Sequence, residues 1–326
     1  MKSQRYRVYS EHLQEKFGGR VYKLPINLPG TCPNRDGIIS EGGCSFCDPK
    51  GSGFECLPSS LEIKEQLERN IKFFRKKFKA EKFISYLQAF TNTYFPLAQF
   101  MEICEAATEG EDIVGLSIST RPDCIEDRYL DYLEELKKRK GLTIDVELGL
   151  QTVNYHTLSR VNRGHTLAEF IDASLRVKQR GLELVAHVIL NLPGDDRLDV
   201  IESAKIISAL SFDYVKLHSL YLVKQTSLGE SYNRGEFELI EKEEYIRRIA
   251  LFLEYLSPEI VVQRLVGKGP RKEQYFCNWA TSWWKLKEEL EDFLEREDTE
   301  QGRRFDYLNG KAIRKKFPDN GVLLNG

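Results

Sequence analysis

No apolar run in the 326-residue chain approaches the roughly 20 residues that span a bilayer, so no membrane-crossing helix is expected. The first residues, MKSQRYRVYSEHLQEKFGG, are polar and lack the apolar stretch of a signal peptide, and the chain reads as cytoplasmic with no membrane partner. Excess charge is missing too. The formal net charge is −2, which removes any global pull toward nucleic acid or an anionic surface, so a basic surface has to be local. Cysteine is sparse and odd in number. Seven thiols in a chain of this size speak against a disulfide framework and for reduced thiols or thiolate ligands. No internal repeat recurs at a solenoid period. What is present, 41% hydrophobic and 30% charged residues, suffices for a substantial core in one large domain with a smaller appendage.

After residue 20, β-branched apolar runs alternate with helical patterns. The sequence predicts strands over 21–27, 82–90, 112–120, 143–152, 183–193 and 214–223, with near-continuous apolar stretches that suit strands covered on both faces. Helices are predicted near 60–79, 97–109, 126–140, 166–180 and 197–210. The helix near 97 is expected to bury Leu97, Phe100, Met101 and Cys104 as one stripe. The helix near 126 is expected to pair Glu134 with Lys138 and Glu135 with Arg139. This alternation predicts an α/β fold with a parallel sheet. Six units form a partial or closed barrel, or a doubly wound sheet, and in each case ligands gather at the C-terminal ends of the strands. Unusual residues fall at those ends, over 88–94, 119–124, 147–152, 191–195 and 218–224. From about 232 the pattern changes to a helix over 238–256, a strand over 260–266, a loop GKGPRKEQ, a helix over 281–297 and a basic end. The expected division is an N-terminal extension (1–20), a core (21–231) and a C-terminal extension (232–326).

Three cysteines stand close together in TCPNRDGIISEGGCSFCDPKGSG, at Cys32, Cys44 and Cys47, with the spacing C-x11-C-x2-C. Two thiolates three positions apart can wrap one soft metal centre, and the third arrives from the preceding loop. Gly37, Gly42 and Gly43 let the backbone turn tightly there. Three thiolates suit a four-iron cluster with one open iron. Cys56 completing a four-cysteine zinc site is a second reading, and buried structural thiols a third.

With these residues in view, the chain resembles the radical S-adenosylmethionine (SAM) superfamily, and within it the Elongator-type branch and its YhcC/YtqA-like proteins. The resemblance spans about residues 5–305. It rests on CPNRDG…GGCSFC, LQAFTNTY, LSISTRPDC, VELGLQT, NRGHT, HVILNLPG, VKLHSLYLV, QRLVGKGP and a late QG at 301–302, all in order. The chain departs from its relatives in three places. Its cysteine spacing is longer than the common C-x3-C-x2-C, GKGP stands where GDGP is usual, and the segment around Cys277 and Trp279 diverges.

The resemblance implies a radical SAM partial (β/α)6 barrel with a small C-terminal extension, a [4Fe-4S] cluster on Cys32, Cys44 and Cys47, bound SAM, and a reducing electron-donor protein. It also implies residue roles. Phe46 would lie near the adenine. The stretch from Gln88 through Thr91 and Asn92 to Thr93 stands in place of Gly-Gly-Glu and would meet the SAM amino group. Ser119 and Arg121 would meet the methionyl carboxylate, and Glu147 and Gln151 the ribose hydroxyls. His187, Asn191 and Leu192 would lie near adenine or substrate. The implied reaction starts from a 5′-deoxyadenosyl radical that removes a substrate hydrogen. The implied substrate is tRNA, with a wobble-uridine C5 side chain converted from 5-carboxymethylaminomethyl to 5-aminomethyl. A radical SAM enzyme acting on a small molecule or protein is one alternative, and a zinc-binding adaptor another.

Other signals carry bland readings beside functional ones. His165 precedes Thr166 and Glu169, which form a plausible capping box. His218 is a core histidine or a substrate contact. The basic, aromatic-bearing runs at 69–82 and 311–317 are solvated faces or nucleic-acid contacts.

Overall fold

The computed structural model describes residues 4–318 except 52, 54, 111 and 270–272, so part of the GKGPRKEQ loop lies outside the described residues. The chain opens with α1 (Tyr9–Phe17) and β1 (Val21–Ile26). It then alternates through α2 (Ile63–Phe78), β2 (Lys82–Leu87), α3 (Leu97–Ala107), β3 (Ile113–Thr120), α4 (Asp127–Lys140) and β4 (Thr143–Gln151). The short α5 (Tyr155–Arg160) and α6 (Leu167–Gln179) lead to β5 (Glu183–Ile189), and α7 (Arg197–Ala209) to β6 (Tyr214–His218). There follow β7 (Leu222–Val223), α8 (Ser227–Asn233), α9 (Lys242–Tyr255), β8 (Val261–Arg264), β9 (Gln274–Phe276), α10 (Trp283–Arg296) and α11 (Lys311–Lys316).

β1 to β6 lie in sequence order and pair in parallel, forming a half-barrel. The sheet does not stop at six. β8, from the region expected to be an extension, pairs in parallel with β6 after the α9 crossover and makes a seventh strand. The strand expected over 214–223 is two strands, because the chain leaves the sheet after His218 and Leu222–Val223 pairs with Gln274–Phe276 instead.

Strand parity separates two faces. Leu24, Leu116, Ile144, Leu184 and Leu217 point outward into the main core, where Phe170 stacks on Phe212 at 5.4 Å. Each large apolar side chain buried there contributes about 1.5–3 kcal/mol. α3 buries Phe100, Ile103, Cys104 and Ala107, an i, i+3, i+4, i+7 set. That stripe leaves Met101 exposed, contrary to the expected grouping. On α4, Glu134 pairs with Lys138 as expected, but Arg139 reaches Glu105 of α3 rather than Glu135, and Lys140 joins it there. Glu105 also accepts from the Tyr132 hydroxyl, so it offers Arg139 a fixed partner between helices. Thr166 and Glu169 form the expected capping box of α6.

α1 closes the end of the half-barrel where the strands begin. Tyr9 packs edge-on against Tyr214 with Val185 and Val261, while Leu13 meets Val21 and Ile84. Gln301 ties the two ends of the chain together. Its backbone N–H donates to Arg5 O, its amide donates to Ser257 O and Ile260 O, and its side-chain oxygen accepts from Arg7 N.

Candidate functional site

The inward-facing residues are largely polar. Above the apolar plug of α1 lies a layer that reaches across the barrel, made of Lys23 (β1), Tyr86 (β2), Ser117 (β3), Asp145 and Glu147 (β4), His187 (β5) and Lys216 (β6). Lys23 Nζ donates to Glu147 Oε1 at 2.7 Å and to Ser117 Oγ at 2.7 Å, with Asp145 at 3.4 Å. Glu147 Oε2 accepts from Lys216 Nζ at 2.6 Å and from the Tyr86 hydroxyl at 2.8 Å, and lies 2.6 Å from His187 Nε2.

Burial opposes ionisation of Glu147, but Lys216, Lys23 and His187 outweigh it and hold the carboxyl well below its ordinary range. Burial pushes Asp145 up to about 6, with Lys23 pulling the other way and Glu147 adding to the rise. Burial also lowers Lys216 to about 8 against the pull of Glu147, and lowers His187 to about 4 with help from Lys216. His187 is therefore neutral at pH 7 and donates its Nε2 hydrogen to Glu147.

A cavity of about 1050 Å³ runs past this layer, from Tyr9 and Leu13 of α1 to the cysteine loop, where Cys32, Cys44 and Cys47 line it. Tight turns hold the cysteine loop: Arg35 N donates to Cys32 O at 2.8 Å, and Cys47 N to Cys44 O at 2.9 Å. Cys56 does not line the cavity, and its thiol lies by the Gly53 turn. Burial raises Cys47 to about 12, the neighbouring Cys44 adds to the rise, and Arg35 opposes it.

The cationic surroundings of the sulfurs test their fitness for a cluster. Arg163 is buried. Its Nη1 donates to Cys44 Sγ at 3.4 Å and its Nη2 to Gly149 O at 3.2 Å, while its Nε has no partner. It forms no ion pair among the described residues. A buried cation without an anion is costly, and a thiolate-held cluster would supply the missing negative charge. Arg35 Nη1 to Cys47 Sγ (3.6 Å) and Asn34 Nδ2 to Cys44 Sγ (3.6 Å) add donors of the same kind. Gly149 makes room for this arrangement, since a Cβ there would stand 2.5 Å from Arg163 Nη2. The residues fit the group.

Most of the other expected residues converge on the same cavity. Phe46, Gln88, Thr91, Ser119, Arg121 and Gln151 line it, as does His187. Arg121 is clamped by Asp123 through Nε (2.9 Å) and Nη2 (2.7 Å), and its Nη1 donates to Arg163 O. Gln151 follows an irregularity in the β4–β5 register and has a φ of 69°, a left-handed conformation that costs about 1–2 kcal/mol in a non-glycine residue. Four expected residues, Asn92, Asn191, Leu192 and Glu147, do not line the cavity. Asn92 braces the β2 and β3 ends by donating to Leu87 O and Ser119 O. Asn191 accepts from Leu220 N, and Leu192 packs with Val161, Ile189 and Leu222. Glu147 lies in the floor with both oxygens engaged.

Sequence reasoning assigned no role to Lys23, Tyr86, Asp145, Lys216 or Arg163. The signal was in the runs VYKLPIN, TIDVELGL and YVKLHSL, where a charge interrupts an apolar stretch. Each such charge occupies the inward parity of its strand.

Two family models match the chain. The one described as Radical SAM superfamily matches residues 27–207, and the one described as Radical_SAM C-terminal domain matches 212–296. The chain is 35% identical over 308 residues to YtqA of Bacillus subtilis (strain 168), covering 94% of this chain and 95% of that protein. It is 31% identical over 140 residues to a tRNA uridine(34) acetyltransferase of Methanocaldococcus jannaschii, covering 42% of this chain and 25% of that one. In fold it is similar to the archaeal Elp3 of Methanocaldococcus infernus, with a TM-score of 0.66 at 20% identity, covering 86% of this chain and 64% of that one.

Proposed function

The chain belongs to the radical SAM superfamily, and from that premise we propose that it is an enzyme acting on the C5 side chain of a tRNA wobble uridine, converting 5-carboxymethylaminomethyl to 5-aminomethyl. Cys32, Cys44 and Cys47 would hold three irons of a [4Fe-4S] cluster and leave the fourth open to SAM. Together these groups supply, when bound and reduced by a donor protein, a 5′-deoxyadenosyl radical.

The rest is work for the chain's own residues. Arg163, Arg35 and Asn34 direct N–H groups at the sulfurs. Arg121, fixed by Asp123, presents a cation to an anionic group in the cavity. Phe46 offers an aromatic face for a base. The charged layer of Lys23, Tyr86, His187 and Lys216 lies between the cysteine end of the cavity and its α1 end, where Tyr9 and Leu13 line it.

One observation carries the nucleic-acid reading. Phe73, Phe74, Lys77 and Phe78 stand at the C-terminal end of α2, where Phe78 stacks on Tyr22 of β1, and they border the reach of the cavity near the strand starts, while the cysteine loop borders its opposite end. Lys77 lies over both Phe73 and Phe78, at 5.3 and 5.1 Å from the ring centroids. Aromatic faces interleaved with cations are what an unpaired nucleotide needs, through stacking and phosphate neutralisation. The match to a protein named for uridine(34) chemistry in tRNA supports the same reading.

The test incubates the anaerobically reconstituted, reduced protein with SAM and tRNA carrying 5-carboxymethylaminomethyluridine, followed by nucleoside mass spectrometry. The proposal expects 5-aminomethyluridine to accumulate with 5′-deoxyadenosine. Unaltered tRNA alongside active SAM cleavage would transfer the reading to a small molecule or a protein as substrate.

A further inference from the structure

β8 is not a regular strand. Its pairing with β6 runs Tyr214 to Val261 and Val215 to Val262, then jumps from Lys216 to Arg264. Gln263 is the extra residue. A bulge of this kind turns two consecutive side chains toward one face, where a regular strand would alternate them. Both Gln263 and Arg264 accordingly line the cavity, next to Lys216 and His218.

These two side chains bring donors that nothing in the protein satisfies. Gln263 Nε2 and Arg264 Nε are buried and have no hydrogen-bond partner. Arg264 Nη2 lies 2.8 Å from the ring nitrogens of His218, a neutral partner, since burial first and then Arg264 hold that imidazole well below its ordinary pKa. Among the described residues no carboxylate pairs with Arg264. The nearby acids are already committed: Glu147 to Lys216 and Lys23, and Glu55 to Lys268. An unpaired guanidinium beside an unpaired amide N–H is costly in a cavity wall unless an anion arrives. A planar fork of N–H groups suits a planar carboxylate, which it can grip with two parallel hydrogen bonds.

We propose that the bulge in the seventh strand builds a carboxylate-binding subsite, in which Arg264 and Gln263 take up the carboxylate of the substrate. The identity of that carboxylate rests on the reading above, in which it belongs to the carboxymethyl group on the uridine side chain. The subsite itself depends only on Gln263 and Arg264.

The experiment uses the reconstituted full chain with 15N-labelled histidine. Acetate is titrated first, and the ring signals of His218 report it. They are expected to move in the parent protein, with affinity about tenfold or more weaker in Arg264→Gln and intermediate in Arg264→Lys, which keeps the charge but loses the fork. Gln263→Leu provides a second variant, and circular dichroism confirms folding of each. Binding of two anticodon stem-loops, with 5-carboxymethylaminomethyl or 5-aminomethyl uridine, is then compared. The parent protein is expected to prefer the first by about tenfold, and Arg264→Gln to erase that preference. Acetate shifts that are absent, or indifferent to both substitutions, overturn the subsite. A loss confined to SAM affinity overturns its assignment to substrate. Arg264-dependent acetate binding without discrimination between the two RNAs leaves the subsite standing and removes the wobble-uridine reading.

Discussion

Lys216 Nζ donates to Glu147 Oε2 across 2.6 Å, from the sixth strand to the fourth, with β5 between them. Lys23 reaches the other oxygen of the same carboxylate from β1, on the far side of the barrel. Glu147 is thus the hub to which both walls of the half-barrel are tied. Removing it strands two buried ammonium groups. Glu147→Leu is expected to destabilise the fold by about 3–5 kcal/mol, and the triple replacement with Lys23→Met and Lys216→Met to recover much of that loss. Denaturant unfolding measures both. A Glu147→Leu variant as stable as the parent would show that the hub is not structural.

Asp145 behaves in the opposite way to a usual carboxylate. Its pKa is raised to about 6 from 3.8, so between those values the folded state holds a proton that the unfolded chain releases. Stability therefore falls as pH rises through that window, and the penalty is complete above it. Asp145→Asn removes the penalty, while Glu147 still partners Lys23. The variant is expected to gain on the order of 1–3 kcal/mol over the parent at pH 7.5, and nothing near pH 4. Urea unfolding at the two pH values decides the matter, and a larger loss at pH 7.5 than at pH 4 would contradict this account.

The parity of the strands explains what the sequence revealed and what it hid. Outward residues such as Leu116, Ile144 and Leu184 stand within near-continuous apolar stretches, and those stretches announced the sheet. Inward residues such as Lys23 and Lys216 each look like an isolated charge, because Lys23's partners lie 94 to 124 positions away in the chain and Lys216's lie 69 and 130 away. The cysteine loop was legible because its ligands are local. The seventh strand was legible as a strand but not as a member of the sheet, since a four-residue run carries no record of its neighbour. Arg163 stood in the motif NRGHT, but nothing in a linear motif shows that its side chain ends 3.4 Å from Cys44 Sγ.

Cluster binding separates the three cavity cysteines from the fourth. Cys32→Ala, Cys44→Ala and Cys47→Ala are each expected to lose the iron–sulfur absorbance and nearly all bound iron and sulfide after anaerobic reconstitution. Cys56→Ala is expected to keep both, because its thiol does not line the cavity. Equal losses in Cys56→Ala and Cys44→Ala would favour a four-cysteine site.

The two basic segments can also be told apart. On α2, Lys77 lines the cavity, and Lys72, Lys76 and Lys79 form no ion pairs among the described residues. By contrast, Arg75 is paired with Asp112, and Arg69 with Glu65. In the tail, Lys311 and Lys315 of α11 both pair with Asp306, and no α11 residue lines the cavity. If the α2 end meets RNA phosphates, each cation that does so releases counterions on binding. Replacing Lys72, Lys76 and Lys77 by Gln is then expected to weaken tRNA binding and to reduce the slope of log affinity against log salt by about 0.7–0.9 per lost contact. Replacing Arg314, Lys315 and Lys316 is expected to change that slope little. Binding titrations at four or five salt concentrations measure both slopes. A tail variant that lowers the slope while the α2 variant leaves it unchanged would assign the phosphate contacts to the tail instead of α2.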